Sequence, residues 1–219
     1  GTDIGKNTKE ALAVRHKVGM VFQYPEYQIF EENVFKEIAF GPKQMGLSED
    51  EIKSRVYESM DFVGLKKTLD DKSPFDLSGG QKRRVAIASV IAMRPKVLIL
   101  DEPCAGLDPK GREVILSLIK DYQQKTGSTV IIVSHSMEDV AKLCSKVVVM
   151  NKGKVAMSGT VPEVYSHAQE LREIGLNVPQ VTEIFLKLKA EGIDCKTDIF
   201  TVEQGTAELK RLFKKEGKA

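Results

Sequence analysis

The chain has 219 residues, room for one sizeable core and a small appendage. Its 33 Lys and Arg against 31 Asp and Glu leave almost no net charge, so a nucleic-acid partner finds no basic footprint. With 42% hydrophobic and 29% charged residues, and no apolar run of spanning length, the composition is that of a soluble globular protein and excludes a membrane span.

In chain order, Lys17 to Phe22 is a short apolar run and predicts a buried strand. From Glu32 to about Lys67 the pattern is helical, with breaks expected at Gly41-Pro42 and at Gly46. A long helix is expected from Gly79 to just before Pro95. Val97-Leu98-Ile99-Leu100 is a continuous apolar run, as in a parallel strand covered on both faces. Asp108-Pro109 supplies a cap and a first-turn proline for the next helix, and Gly127 ends it. Thr129 to Val133 predicts a second buried strand, and Ser136 to Asp139 caps a third helix. Lys146–Met150 and Lys154–Met157 predict strands joined by a hairpin turn at Asn151-Lys152-Gly153. Strand and helix alternate, so the class is α/β with a parallel sheet. From Thr160 onward the pattern is mainly helical, with a weak strand candidate at Thr197 to Val202. No signal peptide or initiator Met is read at the front. Cys104, Cys144 and Cys195 are few, odd in number and widely spaced, and read as free thiols of a reducing cytoplasm.

Four places carry chemistry. Ser78-Gly79-Gly80-Gln81 opens a helix, where unpaired amides and the helix dipole favour an anion, above all phosphate. An ordinary Ser-capped helix accounts for the same residues. Asp101-Glu102 ends the strand VLIL: Asp101 can hold Mg²⁺ through water, and Glu102 can take a proton from an attacking water. Paired acids at a solvent-facing strand end are the plain alternative. Asp108, in the run from Cys104, caps its helix and could also touch a second subunit. His135 follows a strand end and is placed to meet a γ-phosphate.

LSGGQ, then VLILDEP, then AGLDP, then a strand ending in Ser-His resembles an ABC-type ATPase. The matching parts are its signature loop, Walker B acids, D-loop and switch histidine, and Gln23 after KVGMVF stands where the Q-loop belongs. The resemblance covers roughly residues 1 to 160. QYPEYQIFEENVFKEIAFGP, SPFDLSGGQKRRVAIA and DEPxAGLDPKGR narrow it to the ATPases of energy-coupling-factor importers, which take up vitamins or metal ions.

The resemblance implies a P-loop NTPase-like core with a helical subdomain and a C-terminal extension. It places a remnant of the nucleotide-binding core at 1–23, and the Q-loop, helical subdomain and signature helix at 24–94. The Walker B, D-loop and switch His fall in 95–160, and the extension in 161–219. ATP and Mg²⁺ are the implied cofactors. Gln23 and Asp101 would serve the metal, and Glu102, His135 and Gln23 the chemistry. Ser78, Gly79, Gly80, Gln81 and Asp108 would serve the nucleotide across a head-to-tail pair. The implied partners are a second ATPase subunit, a transmembrane scaffold bordering Tyr24 to Phe30, and a substrate-binding membrane subunit. The implied place is the cytoplasmic face of the membrane. Cys104 stands where the family usually has Thr, and a thiol there raises the possibility of oxidation.

The phosphate loop itself, G-x-x-x-x-G-K-[ST], is not among these residues. Gly5-Lys6 is followed by Asn7, Gly153-Lys154 by Val155 and Gly217-Lys218 by Ala219. Gly1-Thr2-Asp3-Ile4 matches a later stretch of the family core, so the chain is expected to lack the family's front. It is then expected not to turn over ATP alone and to leave apolar sheet surface open. Compensation could come from a dimer or a rearranged core, and poor stability is the other outcome. A noncatalytic module completing a partner's active site remains a second reading. A non-transport ABC head would insert a coiled coil between Gln23 and Ser78, and no heptad run is there.

Overall fold

The computed structural model describes residues 3–216. Gly1 and Thr2, the front of the match at Gly1–Ile4, lie outside the described residues. The chain divides into two compact units, Gly1–Val133 and Ser134–Ala219.

The first unit is built on a three-stranded parallel sheet of β1 (Val18–Val21), β2 (Val97–Asp101) and β3 (Thr129–Val133), in that spatial order. Around it run α1 (Lys9–Arg15), α2 (Val34–Gln44), α3 (Glu49–Phe62), α4 (Gly79–Ile91) and α5 (Pro109–Thr126). Each helix starts on a side-chain cap: Thr8, Asn33, Ser48, Ser78 and Asp108 accept from amides two or three residues into their helices. Helix α1 was not expected from the sequence. The segment Gly5-Lys6 before it is a turn, in which the Gly5 amide donates to Asp3 Oδ1 at 3.0 Å.

Register puts Gly19 beside Leu98 and Val21 beside Leu100, all four buried and on one face of the sheet. Leu98 and Leu100 are buried there, and Ile87 of α4 and Ile115 and Ile119 of α5 are buried as well. Gly19 is required by close approach: a Cβ there would lie 2.6 Å from Val90 Cγ1 and 2.9 Å from the Pro95 ring. The other face differs from expectation. Ile131 is 46% and Val133 51% exposed, and Val18 and Met20 on β1 are exposed too. The sequence predicts β1 and β3 as buried strands, but only one side of each is covered. Composition reports apolar content, whereas burial depends on what packs against it. The open apolar surface expected from the sequence is therefore present.

The expected break at Gly41-Pro42 is also corrected. Helix α2 continues through Pro42 to Gln44, and Gly46, at φ +74°, makes the turn after it. Val34, Ile38 and Pro42 form one buried stripe at four-residue spacing, and this packing outweighs the one backbone bond that proline removes.

The second unit contains α6 (Met137–Leu143), an antiparallel hairpin of β4 (Lys146–Asn151) and β5 (Lys154–Thr160), then α7 (Val161–Tyr165), α8 (Ala168–Glu173), α9 (Gln180–Ala190) and α10 (Val202–Glu216). Lys152 and Gly153 both take positive φ, +49° and +76°, as a two-residue hairpin turn of the right twist demands. Val140, Val149, Val164, Tyr165, Leu171 and Phe200 form the core.

No strand forms at Thr197 to Val202. The Gln204 side chain accepts from the amides of Phe200 and Thr201, and Thr201 Oγ1 accepts from the Gln204 amide. These bonds commit the backbone to starting α10.

Glu208 on α10 is buried and ties the extension together. It accepts from the Lys196 amide at 2.9 Å and from Arg211 through Nε at 2.8 Å and a terminal nitrogen at 2.6 Å. The Arg211 hydrogen bonds, then the Lys196 amide, hold its carboxyl down at about 2. A lowered carboxyl stabilises the fold fully above its usual value of 4.5, and that contribution fades as pH falls toward 2. Acid melting should therefore show a loss of stability across this window. Glu208→Gln should lower stability at neutral pH and flatten the acid slope, as checked by thermal melting at pH 7, 4 and 2.5.

Candidate functional site

The parallel register brings the carboxyl ends of β1 and β2 to one edge. Val21 pairs with Leu100, so Gln23 and Glu102 each lie two residues past that pair. Such edges are where open α/β sheets place ligands. Both strands leave the edge through a left-handed residue. Tyr24 has φ 52° and ψ 57°, and Glu102 has φ 45°. Non-glycine residues rarely adopt this region, and it persists only where the surroundings hold it. The Glu102 amide donates to Val133 O at 2.9 Å, and the Ala105 amide closes a turn onto Glu102 O at 3.0 Å. Asp101, paired in register with Val133, is half-buried and Gln23 is exposed.

Ser78 to Gln81 form a reciprocal capping box. The Gln81 amide donates to Ser78 Oγ at 3.3 Å, and the Ser78 amide donates to Gln81 Oε1 at 3.0 Å. This settles where the Gln81 side chain is spent: on the helix start. Gly79 and Gly80 are exposed, and a Cβ on either would meet nothing within 4 Å. Packing within this chain therefore gives no reason for glycine at either position. An approaching ligand or subunit does, because two bare amides at the positive end of a 13-residue helix suit a phosphate.

Asp108 caps α5 by accepting from the Gly111 amide at 2.8 Å. Gly80 and Asp108 line one cavity of about 200 Å³, with Arg84 and Lys110 also at its wall. Asp101 and Glu102 do not line that cavity. His135 belongs to the second unit, where it is exposed, one residue before the Ser136 cap of α6. Cys104 is half-buried, with Sγ 4.0 Å from Arg112 O.

The sequence reading passes over a buried ion pair. Arg83 on α4 donates to Glu26 through Nε at 3.0 Å and a terminal nitrogen at 2.7 Å. Its other terminal nitrogen reaches Ala105 O at 2.7 Å and Pro103 O at 3.4 Å. Its guanidinium carbon is 5.9 Å from the centre of the Tyr24 ring. Burial by itself would raise the Glu26 carboxyl, but the Arg83 hydrogen bonds and charge outweigh it and hold the carboxyl below its usual value. Fifty-seven residues separate the pair, so no local pattern announces it. The nearest signal is an arginine four residues into a helix that opens on two glycines.

Comparison with known proteins places this geometry. The ABC transporter family model matches residues 1–105. The energy-coupling factor transporter ATP-binding protein EcfA2 of Caldanaerobacter subterraneus is 53% identical over 214 residues, 98% of this chain and 75% of its own length. The chain belongs to the energy-coupling-factor branch of the ABC transporter ATPases. EcfA2 of Clostridioides difficile is 54% identical over 218 residues, 99% of this chain and 75% of that protein.

Among solved structures, cbiO1 of Clostridium perfringens, described as part of the ABC transporter complex cbiONQ, superposes with a TM-score of 0.66 at 40% identity. That match covers 77% of this chain and 67% of the other. The dimeric ABC cassette MJ0796, bound to ADP and Pi, gives a TM-score of 0.61 at 25% identity over 71% of this chain and 68% of its own. The ABC ATPase is thus an α/β chain in which Gln23 and the Asp101-Glu102 pair share a sheet edge, while Ser78 to Gly80 start a separate helix. No helix among its described residues is long and apolar enough to cross a membrane.

Proposed function

We propose that this ABC ATPase hydrolyses ATP to drive an energy-coupling-factor importer of a vitamin or metal ion. It pairs head to tail with a second ATPase and docks on a transmembrane scaffold at the cytoplasmic face. A separate membrane subunit of the assembly selects the substrate. The observation that carries this reading is the pair of glycines whose bareness nothing in the chain's own packing requires.

The residues present fit one side of a nucleotide. The amides of Gly79 and Gly80, with Ser78, face the phosphates of a nucleotide held mainly by the partner. Asp108, whose side chain caps α5, adds its backbone to the same contact surface. At the sheet edge, Asp101 and Gln23 offer the oxygen donors that suit Mg²⁺, which would neutralise phosphate charge there. Glu102 takes a proton from the attacking water, and His135 steadies the γ-phosphate from its place before α6. Gln81 supports the nucleotide side indirectly, by fixing the helix start. Tyr24 to Phe30, with Tyr27 84% and Phe30 59% exposed, presents aromatic surface to the scaffold.

For the 219 residues taken alone, the missing G-x-x-x-x-G-K-[ST] motif favours the narrower reading of a half-site donor. Calorimetric titration of this chain with Mg-ATP should then show binding no tighter than about 1 mM. Mixing the chain with an intact homologous ATPase should raise that partner's turnover. Micromolar binding by the chain alone would contradict the half-site reading, and unchanged or lowered partner turnover would contradict the donated phosphate contact.

A further inference from the structure

We infer that Arg83 is a positioning residue that locks the loop after β1 to the loop after β2, so that disturbing one loosens the other. Three features support this. Its side chain is only 3% exposed, and its fork is divided between Glu26 on the first loop and the carbonyls of Pro103 and Ala105 on the second. Both loops begin with a left-handed non-glycine residue, Tyr24 and Glu102, a conformation that needs external support. The two loops also run close together, since a Cβ added to Gly106 would lie 3.3 Å from the Tyr24 ring. Arg83 is anchored on α4, one turn from Gly79, so its charge is fixed relative to the helix start.

The planar guanidinium is what makes this possible. It presents several donors at fixed angles, and a lysine ammonium cannot serve a carboxylate on one side and two carbonyls on the other with the same geometry. Glu26 holds the fork in place. If the Glu26 charge is removed, the buried guanidinium loses its counter-ion and swings toward solvent, and the second loop loses its donor although no atom of it was changed. The consequence for catalysis rests on the reading above, in which Gln23 precedes the first loop and Glu102 opens the second. The physical coupling between the loops does not.

Hydrogen–deuterium exchange of the 219-residue chain tests the coupling without any nucleotide. In Glu26→Gln, amides in 24–30 and in 102–107 should both exchange about tenfold faster or more, while those of 85–91 keep their protection. Arg83→Lys should give the same joint loosening, showing that charge without the fork does not suffice. Loosening of 24–30 alone in Glu26→Gln would overturn the inference. So would unchanged exchange in both loops, or a uniform loss of protection that includes 85–91. Because the readout is exchange, a failure here leaves the proposed ATPase function standing, and failure of that function leaves this result standing.

Discussion

Replacing Gly79 with alanine should stabilise the chain and abolish what it does for its partner. The position accepts a methyl group without any contact inside 4 Å, and its backbone is already helical. Alanine lowers the entropy of the unfolded chain, so the melting experiment should show a gain of about 0.4–1 kcal/mol. The same methyl group would stand between the amide and a phosphate oxygen. Loss of one such preorganised donor costs about 10²–10³ in rate, and turnover of an intact ATPase stimulated by this chain should fall by that factor. Gly80→Ala should behave alike. A destabilised Gly79→Ala variant would mean that the glycine serves the fold. A stable variant with full stimulation would mean that no ligand comes near it.

The second large effect separates the two faces of the sheet. Leu98→Ala opens a cavity in the covered face, where Leu98 is 1% exposed, and should cost about 2–5 kcal/mol by denaturant unfolding. Ile131→Ala, one strand away on the open face, should cost less than about 0.5 kcal/mol, the range of ordinary surface changes. A propensity argument would assign the β-branched isoleucine the larger effect, but exposure decides the other way. Equal costs would show that the open face is covered in solution by something beyond the described contacts.

The sequence and the structure agree where the signal is local. Caps at Ser78, Asp108 and Ser136 and the proline at the first turn of α5 are each written within four residues, and each is where it was expected; the hairpin turn expected at Asn151-Lys152-Gly153 is also there, one residue shorter because Asn151 pairs in β4. Gly79 and Gly80 at a helix start and Asp101-Glu102 at a strand end are likewise where they were expected. What was not legible depends on distance in space. The one-sided burial of β1 and β3 is set by which faces other elements reach, not by the strands' own residues. Pro42 sits inside α2 because α2 packs along a buried stripe. The strand expected at Thr197 to Val202 does not form because Gln204 claims the amides of Phe200 and Thr201, a contact the run itself does not announce. Arg83 and Glu26 were invisible because an ion pair spanning 57 residues leaves no periodicity. The Gln81 side chain closes its own helix cap by accepting from the Ser78 amide.

The central claim is that the glycine-led amides and the acidic pair of one chain serve two different nucleotides. The most direct measurement compares Gly79→Ala with Glu102→Gln in the stimulated turnover of an intact partner ATPase. On that claim Glu102 would serve the site whose phosphate loop is not among these 219 residues, so Glu102→Gln should leave the stimulation unchanged while Gly79→Ala removes it. Equal losses from both substitutions would place the two groups in a single site and contradict the account.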